Sequence, residues 1–157
     1  MRKKIVNQHR RDASFKDQNW LDLERLAEVE LTSEEAQHPI EAALTGEAGP
    51  GWRAARSGAQ TIRVVFDAPQ RIRRIQLLFC EDQQPRTQEF VLGWSSDAGE
   101  SYRELVRQQY NFSPPATTEE FEDYTFDLPN VKELELKIIP DISGGEARAT
   151  VEQFRVG

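Results

Sequence analysis

The sequence contains few of the side chains that carry out catalysis. Its only histidines are His9 and His38, and its only cysteine is Cys80. His38 precedes Pro39, a position typical of a loop or of the entry to a helix, and no serine stands in a G-x-S-x-G motif. Cys80 ends an apolar run and is followed by two acidic residues, whereas a reactive thiolate needs electropositive surroundings. We therefore expect no enzyme activity.

Motifs for cofactors are missing as well. Zinc requires closely spaced cysteine and histidine ligands, which this sequence does not have. Neither the phosphate-binding P-loop nor the glycine pattern of a dinucleotide site occurs. We therefore expect no catalytic cofactor.

Composition narrows the class of partner. The 157 residues carry a formal net charge of −7, which is unfavourable for nucleic acid and for an anionic membrane surface. No apolar run approaches the ~20 residues that span a bilayer. The N-terminus has a basic start without an apolar segment behind it, and a single cysteine makes no internal disulfide. We expect a cytoplasmic protein that binds neither nucleic acid nor membranes.

Charge is distributed unevenly along the chain. Residues 1–16 are basic, and we interpret residues 1–18 as a flexible polar arm. Residues 53–74 contain six arginines, whereas residues 119–135 are rich in Asp and Glu. Two interpretations stay open: the two segments attract one another across a sheet, or the arginines form a basic patch for a phosphate or sulfate group.

The secondary structure follows from apolar residues that alternate with polar ones, which is the period of a half-buried strand. The pattern is found in the segments AEVEL, TIRVVF, RIQLLFC, EFVLGWS, DYTFDL, KELELKII and ATVEQFRV. The last segment slips phase between Val151 and Phe154, as a bulge would. Turn residues occur in DAPQ, SSDAGES, LPN and PDISGGEA, and only NWLDLERL and HPIEAAL look helical. Residues 19–157 are predicted to form one antiparallel β-sandwich with one or two short helices near the N-terminus.

The order of these segments resembles the discoidin, or galactose-binding-like, β-sandwich family. The similar pieces are HPIEAAL, a short loop before Trp52, the strand TIRVVF, the hairpin FVLGWSSDAGESYREL and the closing VEQFRVG. They cover roughly Ala27 to Gly157. The resemblance is to the small free-standing bacterial members, and it implies a jelly-roll fold and a non-catalytic module that binds carbohydrate or a similar small polar ligand.

The resemblance also implies where the ligand binds, on loops at one end of the sandwich. A sugar needs an aromatic surface for its C–H face and planar hydrogen-bonding groups for its hydroxyls. The candidate ligand-binding residues are Arg56, Gln84, Arg86, Tyr110, Asn111, Phe112 and Asp141. For Tyr110 and Phe112 the alternative is that they cover the edge of the sandwich.

Trp52 and the loop before it have both a structural and a functional interpretation. We expect Trp52 to be buried and to fasten the loop to the core, with Arg53 fixing the loop further; the alternative is a tryptophan that stacks on a ligand. Relatives often hold a structural calcium between this loop and the last strand, and Glu47 and Glu152 are the matching residues. Because the loop lacks the Asp ligands of the family, we expect no complete calcium site.

Residues 52–66 are similar to a second protein as well, the scaffold protein of DNA single-strand-break repair, in its N-terminal domain. That domain shares the fold and binds a polymerase and broken DNA. The resemblance gives an alternative function: a domain that binds a protein partner, a second copy of itself or broken DNA.

Overall fold

The computed structural model describes residues 20–45 and 50–157, so the predicted arm at residues 1–18 lies outside the described residues. The described residues form two short helices and eight strands. In chain order these are α1 (Leu23–Leu26), β1 (Ala27–Leu31), α2 (Ile40–Leu44), β2 (Trp52–Ser57), β3 (Gln60–Cys80), β4 (Arg86–Ser95), β5 (Arg103–Phe112), β6 (Glu119–Ile139), β7 (Arg148–Val151) and β8 (Gln153–Val156). No helix within these two ranges is long and apolar enough to cross a membrane.

Two long strands, β3 and β6, organise the fold. They pair antiparallel over almost their whole length, with shifts of register between Val65 and Arg74. The turns predicted at DAPQ and LPN are wrong as chain reversals, because both segments lie inside these strands. Pro69 and Pro129 have no N–H to donate to the ladder, so they produce a bend in a continuous strand.

The bend divides the pairing into the two layers of the predicted sandwich. In one layer, the first half of β3 lies between β1 and the second half of β6. The second half of β6 also pairs with β4, and β5 is the outer strand beyond β4. The second half of β3 lies between β8 and the first half of β6. The core fills the space between the layers: the ring centroids of Phe79 and Phe90 lie 5.2 Å apart.

The phase slip predicted near the C-terminus is real, but it arises from a change of partner. Val151 of β7 pairs with Trp52 of β2, whereas Gln153 of β8 pairs with Leu78 of β3. Glu152 lies between the two strands, and its N–H donates to the carbonyl of Leu78 at 2.8 Å. The chain therefore crosses from one partner strand to another within a single residue.

The start of β2 is packed closely against this crossing. A Cβ atom added to Gly51 would lie 2.2 Å from the Val151 carbonyl oxygen, so only glycine fits there. Next to it, Trp52 is 1% exposed, and its indole N–H donates to the Ser33 carbonyl at 3.0 Å. Trp52 is therefore the predicted buried anchor, and it does not present its ring to a ligand at the surface.

The basic and acidic segments neutralise each other across β3 and β6. The three ion pairs are Arg63–Glu135, Arg71–Asp127 and Arg74–Asp123, with N–O distances of 2.8, 2.6 and 2.5 Å. This supports the first of the two interpretations, attraction across a sheet. The arginines that are paired in this way are not available as a phosphate-binding patch.

Candidate functional site

Three loops meet at one end of the sandwich: residues 81–85, 113–118 and 140–147. The Glu81 N–H donates to the Thr118 carbonyl at 2.8 Å, which ties the first loop to the second. The Ile142 N–H donates to the Thr87 carbonyl at 2.8 Å and ties the third loop to β4. The segments that were predicted to carry the ligand site are therefore neighbours in the fold.

Arg86 holds these loops together from inside. Its Nε donates to Glu81 at 2.7 Å, and its Nη1 donates to the Pro140 carbonyl at 2.7 Å and to Gln88 at 3.1 Å. The guanidinium also lies over the Phe112 ring, 4.7 Å from the centroid. This arrangement uses the planar, multiply donating geometry that distinguishes arginine from lysine.

Burial changes the roles expected for Arg86 and Phe112. They are 4% and 1% exposed, so neither side chain faces a ligand at the surface. Their hydrogen bonds and ring contact support the loops instead. Tyr110 is half-buried and packs edge-on against Phe112 with centroids 5.0 Å apart, which agrees with its alternative interpretation as part of the sandwich edge.

A buried carboxyl group continues this network. Gln88 donates to Glu120 Oε1 at 3.2 Å, and Glu120 is 2% exposed. Within the described residues, Arg86 Nη2 has no hydrogen-bond partner. Burial, and next the neighbouring Glu122, raise the pKa of Glu120 to about 8, while Gln88 and Arg86 act in the opposite direction. Glu120 is therefore largely protonated at neutral pH.

A cleft of about 460 Å³ opens beside this framework. It lies between the 81–85 loop, the start of β6 and the β2–β7 pair. The polar and charged groups that line it are His38, Arg53, Glu81, Asp82, Gln83, Gln84, Thr118, Glu119, Arg148, Thr150 and Glu152.

One wall of the cleft is basic, but its charge is partly compensated. Glu35 accepts a hydrogen bond from Arg148 at 2.6 Å and lies 3.6 Å from Arg53 Nε. His38 Nε2 lies 4.0 Å from the same carboxylate. Glu35 therefore holds two guanidinium groups beside the cleft, and their remaining N–H groups are positioned by this contact.

The opposite wall is acidic. Asp82 and Glu119 line it, and Glu152 lies at the cleft directly after β7. Within residues 20–45 and 50–157 none of the three forms a salt bridge. Burial, followed by the charges of Glu152, Glu119 and Asp82, raises the pKa of Cys80 to about 11. The thiol at the cleft therefore stays protonated, as expected for a small structural cysteine.

The structure describes only one of the two metal ligands that the family resemblance suggested. Glu152 lies at the cleft, whereas Glu47 lies outside the described residues. No group of three or more His, Cys, Asp or Glu side chains in the described part of the chain could hold a metal ion. Calcium takes six to eight oxygen ligands, so the described residues alone do not fit it.

The remaining predicted ligand residues lie in different parts of the structure. Gln84 lies at the cleft. Arg56 donates to the Thr32 carbonyl at 2.9 Å, and Asn111 accepts from Thr87 Oγ1 at 2.7 Å. Asp141 accepts from the hydroxyl and N–H of Ser143, and these bonds lower its pKa. Along the part of the chain that the structure describes, Gln84 is thus the one predicted ligand residue that lines the cleft.

Several groups of the cleft were missed from sequence. Arg53 was expected to fix a loop or to belong to a basic patch, Glu119 was placed only in the acidic segment, and Arg148 and Thr118 were not singled out. Arg53 comes next to Arg148 because β2 pairs with β7, with Arg53 opposite Thr150. Residues so distant in sequence carry no local signal that they will share one wall.

The fold is similar to that of known carbohydrate-binding modules. The family 32 CBM of NanJ from C. perfringens, in complex with galactose, gives a TM-score of 0.62 at 15% identity, with 83% of this chain and 92% of that chain covered. Chitosan-binding module 1 of a chitosanase/glucanase from Paenibacillus sp. IK-5 gives 0.59 at 18% identity, covering 86% and 97%. The CBM32 of AlyQ in complex with 4,5-unsaturated mannuronic acid gives 0.60 at 16% identity, covering 84% and 95%.

Comparison by sequence finds fewer relatives than comparison by structure. None of the curated proteins matches the chain significantly. The family model of the F5/8 type C domain, however, matches residues 28–152, from the first strand to the crossing between the last two. The chain therefore belongs to the F5/8 type C domain family.

Proposed function

We propose that this protein is a non-catalytic glycan-binding module and that the cleft holds a sugar unit. The observation that carries the proposal is a cleft of about 460 Å³ at the loop end of a fold shared with carbohydrate-binding modules. This volume lies within the roughly 300–1,000 Å³ of small-molecule sites. The cleft is lined by amide, hydroxyl, guanidinium and carboxylate groups, which suit a polyhydroxylated ligand.

The two walls would act on different parts of the ligand. The amides of Gln83 and Gln84 and the hydroxyl of Thr118 both donate and accept hydrogen bonds, as sugar hydroxyls do. Arg53 and Arg148 donate from the other side. Hydroxyl groups therefore find complementary partners across the cleft.

The acidic wall restricts the charge of the ligand. Asp82, Glu119 and Glu152 form no salt bridge within the described ranges, and Glu35 already offsets the two arginines. A uronate or phosphate group placed there would be repelled, whereas a neutral sugar or a protonated amine would not. We propose neutral or amino-bearing glycans as the ligand class.

The alternative of a scaffold that binds broken DNA is disfavoured, because most arginines of residues 53–74 are engaged within the described part of the chain. Of the arginines between residues 53 and 74, Arg53 lies beside Glu35 and Arg56 donates to Thr32. Arg63, Arg71 and Arg74 are paired across β3 and β6. Contact of these five arginines with phosphates would require giving up these interactions.

Isothermal titration with chitotetraose, galactose and tetramannuronate tests the proposal. We expect binding of chitotetraose or galactose and none of tetramannuronate. Glu119→Gln should weaken chitotetraose binding by about tenfold or more, since a hydrogen bond to a charged group is lost. The matched control is Glu100→Gln in the exposed 96–102 turn, which should leave the affinity unchanged. Binding of tetramannuronate alone, or of no glycan, would contradict the proposal.

A further inference from the structure

One aromatic ring on the surface has no role in the core or in the cleft. Among the described residues, Phe121 is the most exposed of the large hydrophobic side chains, at 53%. It belongs to the first half of β6, which pairs with β3 on one side. About half of the ring is therefore open to contact from solvent.

The register of β6 places Phe121 next to the cleft. Glu120 points into the core, so Glu119 and Phe121 lie on the outer face of the same strand. Two residues along a strand correspond to about 7 Å. Across the ladder, Cys80 lies opposite Glu119 and Leu78 lies opposite Phe121. Because Glu119 and Cys80 line the cleft, the ring lies about one sugar unit beyond its edge.

The surroundings of the ring are polar. Glu119 and Asp123 flank Phe121 on its own strand, and Gln153 lies beyond Leu78 on β8. Leu78 is half-buried and is the apolar neighbour across the ladder. A stable protein interface buries about 800 Å² on each partner, which one ring among carboxylates and amides does not supply. A pyranose has one apolar face and a rim of hydroxyls, and it matches this combination.

We propose that Phe121 is a second sugar subsite, on which the unit next to the one in the cleft stacks. The inference rests on the proposed function, because the first unit must occupy the cleft. The ring then supplies the aromatic surface that the loops lack, since Phe112 is buried and Tyr110 packs against it. The ligand is a glycan of at least two units that runs from the cleft along the outer face of β6.

The test compares each single sugar with a longer glycan that contains it. The probes are glucosamine with chitotetraose, and galactose with N-acetylgalactosamine-β-1,3-galactose. In Phe121→Ala we expect the affinity for the longer ligand to fall by about threefold to tenfold and that for the single sugar to stay the same. Ile142→Ala, another exposed apolar residue outside the cleft, is the matched control and should change neither affinity.

A second variant reports on the ring directly. Phe121→Trp should retain affinity for the longer ligand, and its additional fluorescence should change on adding that ligand but not the single sugar. Equal affinities of wild type and Phe121→Ala for the longer ligand would overturn the subsite alone. Failure of the wild type to bind any of the four probes would overturn the proposed function and the subsite with it. If Phe121→Ala instead turns a dimer into a monomer at unchanged glycan affinity, the ring is a self-association contact and the subsite is wrong.

Discussion

Two regions at the same end of the sandwich use charged and aromatic residues in opposite ways. In the loop framework, formed by Trp52, Arg86, Gln88, Phe112 and Glu120, every side chain is buried and most of its polar atoms are bonded. In the cleft rim, formed by Arg53, Asp82, Gln84, Glu119 and Arg148, the side chains line open space. The type of a residue in a loop therefore does not show whether the residue is structural or binds a ligand. We expect the framework to determine stability and the rim to determine binding.

Removal of Trp52 is the most severe way to break the framework. Trp52→Ala leaves a large cavity and an unpaired Ser33 carbonyl, so we expect a loss of about 3–5 kcal/mol in the free energy of unfolding. Urea denaturation measures it. Phe121→Ala, on the surface, is the matched control and should change stability little. A Trp52→Ala protein as stable as the wild type would show that the ring is not an anchor.

Arg86 tests whether the framework depends on its buried charge. Arg86→Met removes the partner of Glu81 and frees the Pro140 carbonyl, so we expect a loss of about 3 kcal/mol, measured by urea denaturation. Arg71→Met is the control, because its exposed pair with Asp127 contributes about 1 kcal/mol or less. Equal losses of unfolding free energy in the two variants would contradict the claim that the buried framework contributes more to stability than the surface does.

Glu120 gives the framework a dependence on pH. Its pKa in the folded protein, about 8, lies above the usual 4.5, so folding favours the protonated form. The associated stability is fully present below about pH 4.5 and is lost as the pH rises through about 8. Glu120→Gln should flatten the fall of stability between these values. Thermal melts of both proteins from pH 5 to 8.5 measure the difference, and parallel curves would contradict the assignment.

Calcium should have the smallest effect. Because the described residues supply no set of metal ligands and the 45–51 loop has no Asp, added calcium should change the melting temperature by less than about 2 °C. A thermal melt with calcium and then with a chelator measures this. A larger rise that the chelator reverses would show that Glu152 and loop oxygens suffice.

Most of the fold could be predicted from sequence, because the alternation of apolar and polar residues along a strand is a local property. The strands around Ile62, Leu77 and Leu136 were predicted correctly, and so was the burial of Trp52. Which side chains line the cleft could not be predicted in the same way, because residues distant in sequence form it. Arg86 and Phe112 resembled ligand residues in a loop-like segment, but pairing of β4 with β5 turns both inward. Arg53 and Arg148 come together because β2 pairs with β7, which is about 95 residues further along the chain.

The most direct test of the account is to locate bound sugar by NMR. In a ¹H–¹⁵N titration with chitotetraose or galactose, we predict shifts of the amide signals of Asp82, Gln84, Thr118 and Glu119. Signals of the 96–102 turn at the opposite end of β4 should not move. Shifts confined to that turn, or no shifts at all at saturating sugar, would contradict the claim that the cleft rim binds glycan.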